Sequence, residues 1–272
     1  MALPDTDKVF AGSIPQLYDE YFVPLIFEPY AIDLSARAAA RRPGRVLEIA
    51  AGTGAVTRHL AADLPESGTI VATDLNPGMI ARAREVGAAR PVEWQTADAM
   101  QLPFADASFD AVVCQFGVMF FPDRGAAYAE ARRVLRPRGA FLFNAWDRIE
   151  ANEFADVVTA TLATLFPADP PRFMARTPHG YHDTATIARD VAAGGFAAAP
   201  EITTLGKRSK APSPRHVAIA YCQGTPLRSE IEARDAARLG EATEVCADAI
   251  ARRFGGGAVD AAIQAHVVVV ER

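Results

Sequence analysis

The stretch Arg45–Thr57, RVLEIAAGTGAVT, limits this chain to few folds. Val46-Leu47-Glu48-Ile49-Ala50 is an apolar run too short for a helix and rich in strand formers. Beyond Gly52-Thr53-Gly54, residues Val56, His59, Leu60 and Leu64 recur at helical spacing. Strand, tight glycine turn and helix start make the first half of a βαβ unit. Glycine suits such a turn because it tolerates positive φ and has no Cβ to hold a ligand off the backbone. The free N–H groups at the helix start then favour anionic or electron-rich groups. A GxG turn also serves many α/β proteins as a plain reversal, so the next strand carries the argument. Thr69–Asp74 is a β-rich run ending in a carboxylate, twenty residues after Gly54. An acid there can accept hydrogen bonds from both hydroxyls of a ribose bound over the turn. Its structural role, starting the helix Asn76–Val86, falls instead to Asn76 as N-cap before Pro77, which leaves Asp74 free.

A dinucleotide fingerprint requires a sixth-position glycine, and here Thr57 stands in that place; Glu48 inside the first strand is also foreign to such folds. At these residues the chain resembles the class I S-adenosylmethionine-dependent methyltransferases, whose first motif is a strand with an acidic residue followed by GxGxG. Glu48-Ile-Ala50-Ala-Gly52-Thr-Gly54 matches it, with Ala50 at the usual first glycine. The likeness continues through Asp74, Ala97-Asp98-Ala99 and Leu102–Asp123, whose first part, Leu102–Asp110, is close to the LPF-x-D-x-SFD run of small-molecule methyltransferases; the chain is also loosely similar to those of quinone biosynthesis. It covers Arg45 to Asp147 well and the remainder loosely. It implies a doubly wound, Rossmann-like α/β sheet of seven strands, mostly parallel with an antiparallel last strand. N-terminal helices and a helical insertion or lid would complete it. The expected organisation is a helical cap over 1–44, a cofactor-binding core over 45–147, and a lid, last strands and insertion over 148–272.

The resemblance further implies that S-adenosylmethionine, leaving as S-adenosylhomocysteine, contacts Tyr21 (with Tyr18 the alternative), Glu48, Ala50, Ala51, Gly52, Gly54, Asp74, Leu75, Asp98, Ala99, Gln115 and Phe116. Asp98 would accept from the adenine amine. The buried strand Ala111–Phe116 delivers Gln115 and Phe116 to the crevice, and Phe116, Met119, Phe120 and Phe121 would line the acceptor side. Many of these aromatics fit an ordinary core equally well. The Pro-rich stretch 167–182 reads as a lid bearing His179, Tyr181 and His182, because long ordered loops in compact domains carry function. His179, His182 and Asp147 are the candidate proton acceptors, and Phe116, Phe120, Tyr181 and His182 the candidate acceptor contacts. A surface loop of polar residues is the other reading of the histidines.

Composition narrows the partners. A net charge of −5 with no long Lys/Arg run disfavours a nucleic-acid substrate. Cys114, Cys222 and Cys246 form no CxxC and no His cluster, so no metal site or disulfide framework is expected. The first residues lack a secretion-signal pattern and no apolar run is long enough to span a membrane, so a cytoplasmic monomer or homodimer is expected. The expected activity is methyl transfer to a small, partly apolar acceptor by in-line displacement. An NAD(P)-dependent oxidoreductase and a cofactor-binding regulatory protein without turnover are the alternatives.

Overall fold

The computed structural model describes Asp7, Phe10 and residues 12–272. The sheet has seven strands in the order β3-β2-β1-β4-β5-β7-β6: β1 (Arg45–Ile49), β2 (Thr69–Asp74), β3 (Glu93–Thr96), β4 (Phe109–Gln115), β5 (Leu135–Trp146), β6 (Glu201–Ala211) and β7 (Val259–Glu271). β1 to β5 pair in parallel, and β7 runs antiparallel to both β5 and β6. The chain winds outward from β1 to β3 and then returns to lay β4 against the other side of β1. That reversal opens a crevice at the carboxyl ends of β1 and β4. The helices α3 (Ala55–Asp63), α4 (Pro77–Val86) and α5 (Arg124–Val134) connect these strands. The expected sheet, with its antiparallel last strand, is the one observed.

The N-terminal segment departs from two expected helices. It is one rod, made of α1 (Ile14–Leu17), a π-helical stretch Tyr18–Phe27 and α2 (Glu28–Ala40). Pro24 lies inside the wide stretch, and the Glu28 N–H bonds to the Val23 carbonyl. Proline supplies no N–H and its ring crowds the preceding turn, so the ladder loosens there rather than continuing as α-helix. Beyond β5, α6 (Glu153–Leu165), α7 (Phe173–Arg176) and α8 (Thr184–Ala193) lead to β6. Between β6 and β7 are inserted α9 (Pro214–Gln223), α10 (Leu227–Asp235) and α11 (Leu239–Phe254). Asp183 caps α8 by accepting from Ala185 N and Thr186 N, and Ser213 caps α9 through His216 N.

The backbone is constrained where β1 and β4 end side by side. Ala50 and Phe116, the residues just past these strands, both adopt left-handed φ, 54° and 51°. Side chains rarely tolerate that region, and it marks backbone held by its surroundings. Gly117 passes so close that a Cβ there would stand 2.5 Å from the Ala50 Cβ and 2.8 Å from the Cys114 Sγ. Gly117→Ala is therefore expected to lower unfolding stability by about 1–3 kcal/mol, the scale of overpacking, measured by denaturant titration.

Glu48 sits within β1, buried, with Thr57 Oγ1 of α3 donating to its Oε2 at 2.5 Å. Burial pushes this carboxyl up to about 8, against 4.5 for the free group, while the Thr57 hydroxyl and Arg58 pull it down. A carboxyl that binds its proton more tightly when folded contributes stability that is complete below about pH 4.5 and lost as pH rises through about 8. Glu48→Gln should thus exceed the wild type in stability at pH 9 by on the order of 3 kcal/mol, with the gap closing toward pH 5. Chemical denaturation of both proteins across that range reads it directly.

Candidate active site

At the carboxyl end of β1 the chain turns through Gly52 and Gly54, at φ 58° and 85°, before entering α3. The Asp74 carboxylate at the end of β2 holds this turn. Its Oδ2 accepts from Gly52 N at 2.9 Å and its Oδ1 from Asn76 N at 2.8 Å. Asp74 is therefore not free, as the spacing suggested. Asn76 occupies the cap position of α4, but its side chain caps nothing in the helix and instead accepts from Phe10 N at 3.4 Å. Burial raises the Asp74 carboxyl above its ordinary value, and the Asn76 and Gly52 N–H groups oppose the shift. A carboxylate oxygen can accept more than one donor, so two bonded oxygens still leave lone pairs for a ribose.

An open cleft extends from this turn to the β3 side. Ala50, Gly52, Asp74, Leu75, Asp98, Ala99, Gln115 and Phe116 line it, together with Tyr18, Met79, Met100 and Phe120. Asp98 Oδ1 accepts from Met100 N at 2.9 Å, while Oδ2 has no partner among the described residues. Leu75 is 51% exposed, an isolated apolar side chain at the rim of a polar turn. Gln115 Nε2 donates to the Phe27 carbonyl and so ties β4 to the π-helical stretch. An acid with an open oxygen beside buried Ala99, a carboxylate over a glycine turn and a bare Leu75 face fit an adenosine.

Four expected cofactor contacts are placed elsewhere. Tyr21 is half-buried against α9, 4.7 Å from the His216 ring, and Tyr18 takes the cleft position. The wider turn brings Tyr18, Phe22, Ile26 and Phe27 to one side, and Pro24 is the sequence signal for it. Glu48 is buried below the turn against Thr57. Ala51 N donates to the Thr73 carbonyl, which is strand-end pairing rather than cleft lining. Gly54 faces Trp94, whose ring would lie 2.9 Å from an added Cβ, so this glycine serves packing between α3 and β3.

A second, tighter cavity adjoins the cleft. Phe10, Tyr18, Phe116 and Phe120 belong to both walls. The remainder of its wall includes Phe22, Ile26 and Phe27 from the π stretch, Trp146 at the end of β5, Phe173, Met174, Pro178 and His179 from the 167–182 segment, Tyr221 of α9, and the polar Asn152 and Thr225. Phe116 stacks on Trp146 at 3.8 Å with planes 3° apart. Trp146 and Tyr221 are among the residues that reach this cavity without having been singled out by the sequence. Trp146 sits at the end of a strand, and Tyr221 in an insertion whose register along the sheet has no local signal.

The three proton-acceptor candidates separate. Asp147 directs Oδ1 to Arg148 N and accepts from Gln264 Nε2 at Oδ2, which holds its carboxyl below the usual range against a desolvation cost. His182 is exposed outside both cavities, with Nδ1 on the His179 carbonyl, while its own carbonyl is bonded to His266 Nε2. Tyr181 is buried against the Tyr128 hydroxyl, at 3.3 Å, under the Arg124 guanidinium, and lines neither cavity. His179 alone of these reaches the aromatic cavity. Phe116 and Phe120 line it as expected.

Residues 47–143 match the family model for a methyltransferase domain. The demethylmenaquinone methyltransferase of Deinococcus radiodurans is 41% identical over 107 residues, 39% of this chain and 44% of that protein. The ubiquinone/menaquinone biosynthesis C-methyltransferase of Saccharophagus degradans is 30% identical over 185 residues, 63% of this chain and 73% of that protein. Other curated relatives, from mycobacteria and without a described function, are matched over 40% of their length. The phosphoethanolamine N-methyltransferase 2 of Haemonchus contortus, solved with phosphomonomethylethanolamine and S-adenosylhomocysteine, shares the fold. Its TM-score is 0.58 at 15% identity over 98% of this chain and 59% of that one. With the sheet order, the glycine turn and the acids of β2 and the β3 loop in place, the chain belongs to the class I S-adenosylmethionine-dependent methyltransferases.

Proposed function

We propose that this protein transfers a methyl group from S-adenosylmethionine to a small, flat, largely apolar acceptor. The observation that carries the reading is the shared wall. Phe10, Tyr18, Phe116 and Phe120 bound both the polar cleft and the aromatic cavity, so two ligands placed there meet across these rings. Bound in the cleft, the cofactor supplies an electrophilic methyl on a sulfonium. Asp98, Asp74 and the Gly52 turn hold the adenosine end, and Gln115 and Phe116 lie toward the reacting end. Aromatic faces attract a cation, which favours the charged donor over its neutral product. Donor and acceptor held in line turn a two-body encounter into a near-unimolecular step, and positioning of this kind supplies a large part of such an acceleration. The names of the Deinococcus and Saccharophagus relatives point to quinone chemistry, and a cavity walled by Trp146, Phe27 and Tyr221 suits a ring of that general class.

Calorimetric titration is expected to give micromolar binding of S-adenosylhomocysteine and none of NAD. Asp74→Ala should weaken that binding by about 1.5–3 kcal/mol, the worth of hydrogen bonds to a charged group, or roughly tenfold or more. Unchanged affinity in that variant, or preference for NAD, would sink the assignment. With labelled S-adenosylmethionine, transfer to an aromatic acceptor panel tests the second cavity.

A further inference from the structure

The aromatic cavity contains an uncommitted base. His179 is 5% exposed, and its Nδ1 lies 2.8 Å from the Asp147 carbonyl oxygen. A carbonyl only accepts, so Nδ1 carries the ring proton and Nε2 carries the lone pair. Nε2 is on the opposite edge of the ring and has no partner among the described residues, while the ring itself lines the cavity. The other polar groups there are spent differently. Asn152 Nδ2 donates to the Asp147, Arg148 and Gln264 carbonyls, and its Oδ1 accepts from Gln264 N. Thr225 Oγ1 donates to the Tyr221 carbonyl and accepts from Leu227 N.

Resting on the methyl-transfer reading above, we propose that His179 Nε2 accepts the proton that a hydroxyl on the flat acceptor gives up as that acceptor is methylated. The hydroxyl proton passes to Nε2. The electron pair it leaves on the acceptor supports the new bond to the methyl carbon, and the old carbon–sulfur pair stays on sulfur. A cation and a neutral hydroxyl compound thereby become a neutral thioether, a methylated product and an imidazolium. The Asp147 carbonyl orients the ring throughout and stabilises that imidazolium.

Burial pushes His179 down to about 4, with the Asp147 carbonyl bond and the charges of Asp147 and Glu150 opposing and His182 adding to the shift. The Tyr18 and Tyr221 phenols that share the cavity are raised far above neutrality by burial, so they stay protonated and do not compete for the proton. A weak base suffices here, because the hydroxyl proton becomes far more acidic as the methyl arrives, and transfer late in the step is downhill. The same weakness keeps the imidazole unprotonated at ordinary pH, so the lone pair is always present.

The test uses the protein loaded with S-adenosylhomocysteine, with 2-naphthol and naphthalene as probes. The wild type should bind 2-naphthol about tenfold more tightly than naphthalene, the worth of one hydrogen bond. His179→Asn keeps a donor for the Asp147 carbonyl and removes Nε2. It should lose that preference while its melting temperature and S-adenosylhomocysteine affinity hold. His179→Gln, whose amide oxygen can still accept, should retain part of the preference. With labelled S-adenosylmethionine and hydroxyaromatic acceptors, either variant should lower kcat at least about 100-fold, the usual worth of a general base. Wild-type kcat/KM should be flat from pH 5.5 to 8. A wild type that binds both probes alike, or a preference surviving in His179→Asn, overturns the assignment. So does methylation of amines but not hydroxyaromatics, which leaves methyl transfer itself standing. Failure to bind S-adenosylhomocysteine removes the underlying reading instead.

Discussion

The site depends on one carboxylate. Asp74 bonds the Gly52 N–H with one oxygen and the Asn76 N–H with the other, so the loop after β1 and the loop after β2 share a single anchor. Backbone N–H groups at this edge have no strand partner, and burial without an acceptor costs more than a hydrogen bond returns. The buried carboxylate meets that need and holds the left-handed turn open to a ligand. Its charge is tolerated because its oxygens are satisfied, which is the usual condition for burying an ion.

Next to that anchor, the chain brings rings together from distant positions. Phe116 leaves β4 at positive φ, stacks on Trp146 from β5 and meets Phe27 from the N-terminal rod. Tyr30 of α2 stands edge-on to both Phe116 and Trp146, and its hydroxyl donates to the Leu205 carbonyl of β6. Edge-to-face and stacked rings are worth more than their area alone, and they fix orientation as well as contact. The cavity is therefore rigid where Phe116 and Trp146 wall it. At its other side, the 167–182 segment is tied down by buried His179 and by Arg176, which bonds both Asp7 and Glu230.

Most of the strand pattern was readable because parallel strands buried on both faces are near-continuous apolar runs, as in Ala111–Cys114 and Phe141–Phe143. The N-terminal rod was not, since helical spacing assumes one pitch, and Pro24 switches the pitch over Tyr18–Phe27. That change put Tyr18 rather than Tyr21 on the wall of the cleft. Glu48 fits the motif yet is directed away from the cleft, because alternate residues of a strand face opposite sides. For the histidines of 167–182 the sequence offered three polar rings and no means of choosing between them.

What the sequence determined by itself is the βα alternation, the glycine turn and the acids at the end of the second strand and after the third, and hence the fold, while the cofactor class came with the family resemblance these residues carry. These are local: each is decided by residues a few positions apart, through propensity, turn geometry and strand length. What only the tertiary structure decided is which side chains wall the aromatic cavity, and which edge of His179 is turned to the Asp147 carbonyl. Those depend on how helices inserted between the last strands pack against a rod at the other end of the chain. Apolar burial drives that packing but names no partner, so the choice among many apolar residues is made only when all surfaces close together.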